Sequence, residues 1–178
     1  MTPRDIVDFW MAAGPARWFT KDAAFDGALA VRFGGALKQA RLGAFDHWGE
    51  SPMGALGLIL LLDQASRNIH RGSPLAFAAD ARALALVRGW IGRNYHHSLP
   101  APLASWLIMP FEHAEDLDAQ RRGVALFQSM GLHDMAHWAQ VHHDIIARFG
   151  RFPHRNPVLG RRSSPAELAF LASGGFAG

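Results

Sequence analysis

The chain has 178 residues, of which 49% are apolar and 19% charged, so it can form a sizeable core and is not intrinsically disordered. It contains no cysteine, which excludes a disulfide scaffold, thiol catalysis and any cysteine-ligated zinc site. The net charge is only +3, but 16 of the 18 basic residues are arginine, a side chain suited to planar recognition of carboxylates and phosphates. We expect one domain spanning residues 1–178.

The first residues carry charge and lack an apolar segment, so we expect no signal peptide. The most apolar stretch runs from Met53 to Leu62 and stops at Asp63. That is about half of the length that a membrane-spanning helix needs. We therefore expect a buried core helix, no membrane association and a cytoplasmic location.

Helical signals repeat along the chain, whereas the alternating pattern of strands is nearly absent, which predicts an all-α fold of about eight helices in antiparallel pairs. The expected helices start at or near Pro3, Asp22, Ser51, Pro74, Pro100, Leu117, His133 and Ser164. The fifth should be interrupted at Pro110, because proline lacks the N–H that a helix interior requires. The seventh should bury Trp138, Ile145 and Phe149 on one stripe.

The third predicted helix becomes polar after its apolar run, which ends at Leu62. Gln64, Arg67, Asn68 and Arg71 have the spacing i, i+3, i+4 and i+7, which places them on one face. Asp63 and Arg67 have the i, i+4 spacing of an ion pair. Two interpretations stay open: these side chains line a ligand pocket, or they cap helices and pair with carboxylates elsewhere.

No acidic residue lies between Asp144 and Glu167, yet that interval contains five arginines. Gly150 is placed to end a helix and Gly160 to take a positive φ, so an ordered irregular loop is expected over 151–163. The candidate ligand-binding residues in this loop are Arg151, His154, Arg155, Asn156 and Arg161. Their negative partner could be the protein's own acids, a small anion or a nucleic-acid backbone. Nucleic acid is disfavoured, because lysine is almost absent and no basic stripe follows the chain.

Glu112, His113 and Glu115 follow Pro110, where carboxylates would complement a helix N-terminus. Alternatively, Glu112 or Glu115 pairs with an arginine or acts as a general base beside a bound anion. Glu112, His113 and His142 are the candidate catalytic residues if the protein is a hydrolase-like or metal-dependent enzyme.

Other catalytic and metal signals are poor. His133 and His137 have a metal-compatible i, i+4 spacing, but no His-Glu-x-x-His string is present, so we assign no metal ligands and identify no cofactor. No nucleophile elbow, Walker loop or dinucleotide-binding glycine pattern occurs. His96 and His97 are expected on a loop surface.

Three polar strings resemble the signatures of domain-of-unknown-function family 924. They run from Asp63 to Gly72, from Pro110 to Glu115 and from Arg148 to Arg161. The third begins Arg148-Phe149-Gly150-Arg151-Phe152-Pro153-His154-Arg155-Asn156. The resemblance extends from Phe9 to Leu171 and implies an all-helical fold similar to tetratricopeptide-type αα-superhelices. It implies no established activity.

The leading hypothesis is a soluble all-α protein that binds a small anionic molecule in an arginine-rich pocket between helices, where the three strings converge. One alternative is a scaffold that presents a helical groove to a protein partner. Another is a structural ion-pair network that fastens the arginine-rich loop to the core. The sequence names neither a ligand nor an oligomeric state.

Overall fold

The computed structural model describes residues 1–176, and each regular element in that part of the chain is a helix, which confirms the all-α class. The α-helices are α1 (Pro3–Ala13), α2 (Pro15–Trp18), α3 (Ala23–Arg41), α4 (Pro52–Ile59), α5 (Ser66–Ile69), α6 (Asp80–Gly92), α7 (Ala101–His113), α8 (Leu117–Ser129), α9 (His133–Phe149) and α10 (Pro165–Ala172). A π-helical turn, Leu60–Ala65, joins α4 to α5. Short 3-10 turns cover Asp46–Glu50, Pro74–Ala76, Tyr95–Ser98 and Pro153–Arg155. The tetratricopeptide-like arrangement stays a prediction.

The chain forms two compact units. The first comprises residues 1–71 and 75–110, and the second comprises residues 72–74 and the chain from Phe111 onward. The boundary lies inside α7, directly after Pro110. Each unit is described by itself, and the expected single domain over residues 1–178 stays a prediction.

The core of the first unit is built on α4 and the π turn. Ala55, Leu56 and all five residues of 58–62 have no exposed surface. Helix α1 packs against α4, while α3 packs against the π turn and α5. The predicted buried core helix is therefore confirmed. Within residues 1–176, no helix combines the length and the apolar character that crossing a membrane requires.

Helix ends that depend on local contacts agree with the sequence. The Asp22 carboxylate accepts two N–H groups of the first turn of α3. The helix expected at Ser164 begins there with a capping box, which Ser164 and Glu167 form. Gly150 ends α9 with φ +71° and Gly160 has φ +64°, values that glycine adopts without steric cost.

The predicted interruption at Pro110 is wrong. Helix α7 continues through this proline to His113, so Glu112 and His113 lie in its last turn and not at a helix start. A proline inside a helix costs about 3 kcal/mol. Every residue from 104 to 112 is buried, and this burial offsets the penalty.

Two side chains are exposed differently from expectation. Trp138 is 50% exposed, because the buried stripe of α9 passes through Ala139 and His142 instead. His96 is 4% exposed. It lies in a 3-10 turn, where successive side chains point about 120° apart, so His96 faces the interior while His97 remains at the surface.

The helix expected from Pro74 begins later, at Asp80. The preceding carbonyl groups are used for tertiary contacts, since Ser66 Oγ donates to the carbonyls of Leu75 and Ala76 at 3.2 and 3.1 Å. Arg41 also donates to the Leu75 carbonyl, at 2.6 Å. These bonds compete with the i→i+4 pattern that would extend the helix to Pro74.

Gly54 lets α4 lie directly against the backbone of Trp48, so a larger residue at this position should destabilise the first unit. A Cβ on Gly54 would lie 2.0 Å from the carbonyl oxygen of Trp48, so Gly54→Ala should lower the free energy of unfolding by about 2 kcal/mol or more. Gly89, in α6, has open space around its Cα, and Gly89→Ala should raise stability by up to about 1 kcal/mol. Urea denaturation measures both, and equal shifts of the same sign would contradict the packing described.

Candidate functional site

The predicted polar string of the first unit pairs with carboxylates of the same unit. Arg67 donates two hydrogen bonds to Asp80, at 3.0 and 2.9 Å, and its Nη1 lies 3.0 Å from Oδ1 of the fully buried Asp63. Gln64 Nε2 donates to Asp63 Oδ2 at 2.6 Å. The Arg67 guanidinium also lies over the Phe77 ring, 5.7 Å from its centroid. Arg67 is therefore held on three sides by its own chain.

Arg71 and Asn68 share one acceptor on α3. Arg71 makes a bidentate pair with Asp26, with bonds of 2.7 and 3.0 Å, and Asn68 Nδ2 donates to Asp26 Oδ1 at 2.8 Å. These contacts join α5 to α3. They also hold the pKa of Arg71 above its usual value, chiefly through the hydrogen bonds to Asp26.

In the second unit, Arg151 joins the start of the arginine-rich loop to α10. Its guanidinium donates to both oxygens of Glu167, at 2.7 and 2.9 Å, and to the carbonyl of Arg162 at 2.9 Å. Glu167 is 2% exposed and also accepts the N–H of Ser164. The Arg151 guanidinium is the main reason that the pKa of Glu167 lies well below its ordinary range.

Arg161 joins the other end of the loop to the segment after α7. It donates to both carboxylate oxygens of Glu115, at 2.5 and 2.8 Å, and to Asn156 Oδ1 at 2.9 Å. Glu115 also accepts the N–H of Phe152 at 2.8 Å. Burial works to raise the pKa of Glu115, but the bonds from Arg161 and Phe152 outweigh it and keep that pKa below its usual value.

A group of side chains between α7, α9 and the loop contains further candidates and an aromatic ring next to them. We refer to Glu112, His142, Phe152, His154 and Arg155 as the His142 cluster; all of them except the half-buried His154 are buried. His142 Nδ1 lies 2.8 Å from the carbonyl oxygen of Trp138 and 3.1 Å from Glu112 Oε1. Both neighbours accept hydrogen bonds, so the neutral imidazole carries its proton on Nδ1 and leaves Nε2 as an acceptor.

Charge and burial keep His142 neutral. Burial is the largest cause of a pKa lowered to about 3, and electrostatic interactions with His113, Arg155 and His154 act in the same direction. The hydrogen bond to the Trp138 carbonyl opposes them. The surroundings of this imidazole are therefore poor in water, with the Glu112 carboxylate on its Nδ1 side and Arg155 in the same cluster.

Phe152 forms the wall of the cluster. Its ring centroid lies 5.4 Å from that of His142 and 5.6 Å from that of His154, and the Arg155 guanidinium stacks over the same ring at 4.4 Å. Phe152 itself packs with Ile145 and Ile146 of α9. Phe152 is fully buried and anchors the loop to α9.

Gln120 fixes the position of Glu112, and sequence reasoning missed it. It is fully buried in α8, and its Nε2 donates to the carbonyls of Glu112 and Ala114 at 2.6 and 2.8 Å. These carbonyls end α7 and have no partner within the helix. The only signal in the sequence is a polar residue on the apolar stripe of α8, which does not reveal its target.

The structure places the predicted site residues in two groups. Gln64, Arg67, Asn68 and Arg71 belong to the first unit, and the second unit contains Glu112, His113, His142, Arg151, His154, Arg155, Asn156 and Arg161. Within the second unit, Glu112 meets His142, whereas Arg151 and Arg161 meet Glu167 and Glu115. Convergence of all three strings on one pocket stays a prediction. In the described residues, no group of three or more His, Asp or Glu side chains could hold a metal ion.

Comparison with known proteins identifies a family and a similar solved structure. The family described as "Bacterial protein of unknown function (DUF924)" matches residues 6–175. A protein of unknown function from Agrobacterium tumefaciens is similar in structure, with a TM-score of 0.91 and 42% sequence identity over 96% of this chain and 97% of that chain. No curated protein matches the chain.

The pairing of Arg161 predicts a loss of stability when it is removed. Arg161→Ala should lower the free energy of unfolding by about 2 kcal/mol, because a partly exposed carboxylate loses two charge-assisted hydrogen bonds. Arg162→Ala provides the matched control, since this neighbouring side chain is exposed and its change should stay within about 0.5 kcal/mol. Chemical denaturation measures both, and indistinguishable values would show that the Glu115 pair does not stabilise the loop.

The neutral His142 predicts a loss of stability in acid. Its pKa is about 3 in the folded protein and has the ordinary histidine value of 6.5 in the unfolded chain, so the unfolded chain binds the proton between these values. The contribution of the neutral His142 to the free energy of unfolding is complete above pH 6.5 and is lost as the pH falls toward 3. Between pH 7 and pH 5 this group alone should lower the free energy of unfolding by about 2 kcal/mol.

Denaturant titrations at pH 7 and pH 5 measure this effect. His142→Gln should lose that part of the pH dependence, whereas His137→Gln, an exposed change on the same helix, should keep it. A pH dependence that survives His142→Gln would mean that another group causes it.

Proposed function

The chain belongs to the bacterial family of unknown function DUF924, as its polar strings predicted, and from this starting point we propose that it binds a small anionic molecule in its second unit. The binding groups are the guanidinium of Arg155 and the imidazoles of His142 and His154. Glu112 orients His142 through Nδ1, so the anion is received on the side of Nε2. We place this function in the cytoplasm.

One observation carries the proposal: nitrogen-bearing side chains are concentrated in an aromatic-walled and poorly hydrated place. Arg155 is 6% exposed, His142 is 7% exposed, and both contact Phe152. Electrostatic interactions are stronger away from water, so Arg155 would attract an anion on the Nε2 side of His142 more strongly than at the protein surface, while Glu112 would repel an anion on the Nδ1 side. A guanidinium also offers the bidentate geometry that carboxylates and phosphates prefer.

The proposal is narrower than the sequence hypothesis, because several arginines already bind carboxylates of the protein. Arg67 and Arg71 pair with Asp80 and Asp26, and these pairs connect helices of the first unit. Arg151 and Arg161 similarly fasten the loop. We assign these four arginines to the structural network that the sequence left open.

Binding is better supported than proton transfer. A general base works best when its pKa lies near the working pH, and His142, with a pKa of about 3, is a weak base at neutral pH. A nearby anion would raise that pKa by roughly 1–3 units, the magnitude typical of a close opposite charge, and the ring would still be mostly neutral. In this state Nε2 accepts a hydrogen bond from a hydroxyl of the ligand, which favours hydroxy acids and monohydrogen phosphates.

The helical-scaffold alternative has less support. Exposed aromatic rings along a groove would favour it, and Phe19 and Trp138 are 64% and 50% exposed. They belong to different units, however, so among residues 1–176 neither unit presents a row of strongly exposed aromatic rings. A protein partner therefore remains the second candidate.

A thermal-shift titration tests the proposal. Inorganic phosphate, citrate, nucleotides and divalent metal ions are added separately at constant ionic strength, and a specific ligand raises the melting temperature along a saturating curve that follows RT ln(1 + [L]/Kd). At a concentration of 100 Kd the stabilisation is about 2.7 kcal/mol. We expect saturation with at least one anion.

Arg155→Lys should weaken that binding at least tenfold, because an ammonium cannot make the bidentate contact. Arg148→Ala is the matched control, since Arg148 lies in the same unit but over Phe149 and Phe170. Phosphate also stabilises proteins nonspecifically, an effect that does not saturate and that Arg155→Lys would retain. A flat or linear response to every anion, with the same response from Arg155→Lys, would overturn the proposal.

A further inference from the structure

The C-terminus of α10 reverses the chain in a defined way. Gly174 has φ +81° and donates its N–H to the Leu171 carbonyl, while Gly175 donates to the Phe170 carbonyl at 3.0 Å. These two bonds form a Schellman motif, in which the first residue after the cap is left-handed. A Cβ on Gly175 would lie 2.6 Å from the Phe170 carbonyl oxygen, so glycine is required there. The sequence Gly-Gly thus fixes the direction in which residue 176 leaves the helix.

Phe176 follows this turn directly, and its side chain packs against the His142 cluster. Its ring centroid lies 4.5 Å from that of His142 and 5.3 Å from that of His154, with both pairs of rings close to perpendicular. The half-exposed Trp138 lies 6.5 Å away on a third side. Edge-to-face contacts in this distance range are favourable for aromatic rings. The surroundings of Phe176 are therefore suited to an aromatic ring.

The same two imidazoles belong to the proposed anion site. The ring of Phe176 and the guanidinium of Arg155 both lie near His154 and Phe152: Phe176 contacts His154 and packs against the Phe152 core, and Arg155 stacks on Phe152. A molecule that combines a ring with an anionic group could occupy the place of Phe176 and reach Arg155 at once. Phe176 follows the last helix, so moving it away breaks no contact within α10.

We propose that the Phe176 ring occupies part of the anion site in the free protein, and we call this ring the plug. The ligand is an aromatic anion, such as an aryl phosphate or aryl carboxylate, whose own ring displaces the plug. This inference rests on the proposed function and adds the ligand class and its regulation. The plug competes within the same molecule, so the apparent affinity for the aromatic anion is reduced by the fraction of molecules in which the plug is out. An anion without a ring binds beside the plug and is little affected.

The test compares phenyl phosphate and benzoate with inorganic phosphate by isothermal titration calorimetry. The variants are a chain that ends at Gly175 and full-length Phe176→Ala, which keeps the test valid if truncation lowers the melting temperature. A chain that ends at Phe176 is the matched control, because it keeps the ring. We expect both variants without the plug to bind at least one aryl anion about tenfold more tightly than wild type does. Their affinity for inorganic phosphate should stay within about twofold of the wild-type affinity.

A second readout does not depend on affinity. The Phe176 ring lies 4.5 Å from His142, so its own NMR signals carry the ring-current shift of that packed position, and phenyl phosphate should move them toward the values of an exposed phenylalanine as it expels the ring. Inorganic phosphate alone should not produce that change.

The outcomes separate this inference from the proposed function. If phosphate binds to all variants but the affinity for aryl anions does not rise when the ring is removed, Phe176 is only a packing residue and the proposal of an anion site is retained. If no anion binds to any variant, including the two without the plug, the anion site and the plug are both wrong. A tenfold gain for inorganic phosphate equal to that for phenyl phosphate would mean that Phe176 excludes all anions and does not mark an aromatic ligand.

Discussion

Two ion pairs hold the loop after α9 in place, and the candidate site depends on them. Arg151 with Glu167 and Arg161 with Glu115 join the loop to α10 and to the segment after α7. Glu115 also accepts the N–H of Phe152, so the ring that supports Arg155 is positioned by the same carboxylate. The buried carboxylate of Glu167 needs such a partner, because an uncompensated charge away from water is strongly unfavourable.

The preference for arginine over lysine has a structural explanation in these pairs. Arg67, Arg71, Arg151 and Arg161 each donate two hydrogen bonds to one carboxylate. A planar guanidinium can do this and an ammonium cannot. The positive charge that suggested a broad ligand pocket therefore largely stabilises the fold. The proposed anion site is confined to the residues around His142, where an arginine, aromatic rings and burial coincide.

The features that the sequence predicted correctly depend on neighbours within a few residues. The Asp22 cap, the Ser164 capping box and the glycine that ends α9 all involve backbone groups close in the chain. The errors arise where tertiary packing outweighs a local rule. Burial of the apolar residues around Pro110 keeps α7 helical, and the buried stripe of α9 runs through Ala139, His142 and Ile145 and leaves Trp138 exposed.

The sequence by itself determined the helical class, the family and the residue types of the candidate site, because periodicity and motif spacing are properties of the chain alone. Only the tertiary structure decided which charges meet. Glu115 and Arg161 are 46 residues apart, and Asp26 and Arg71 are 45 apart, so their contacts follow from the path of the helices between them. The same path brings Phe176 onto His142, a contact with no local signal in the sequence. Electrostatic and ring contacts act over a few ångströms, and distance along the chain does not specify distance in space.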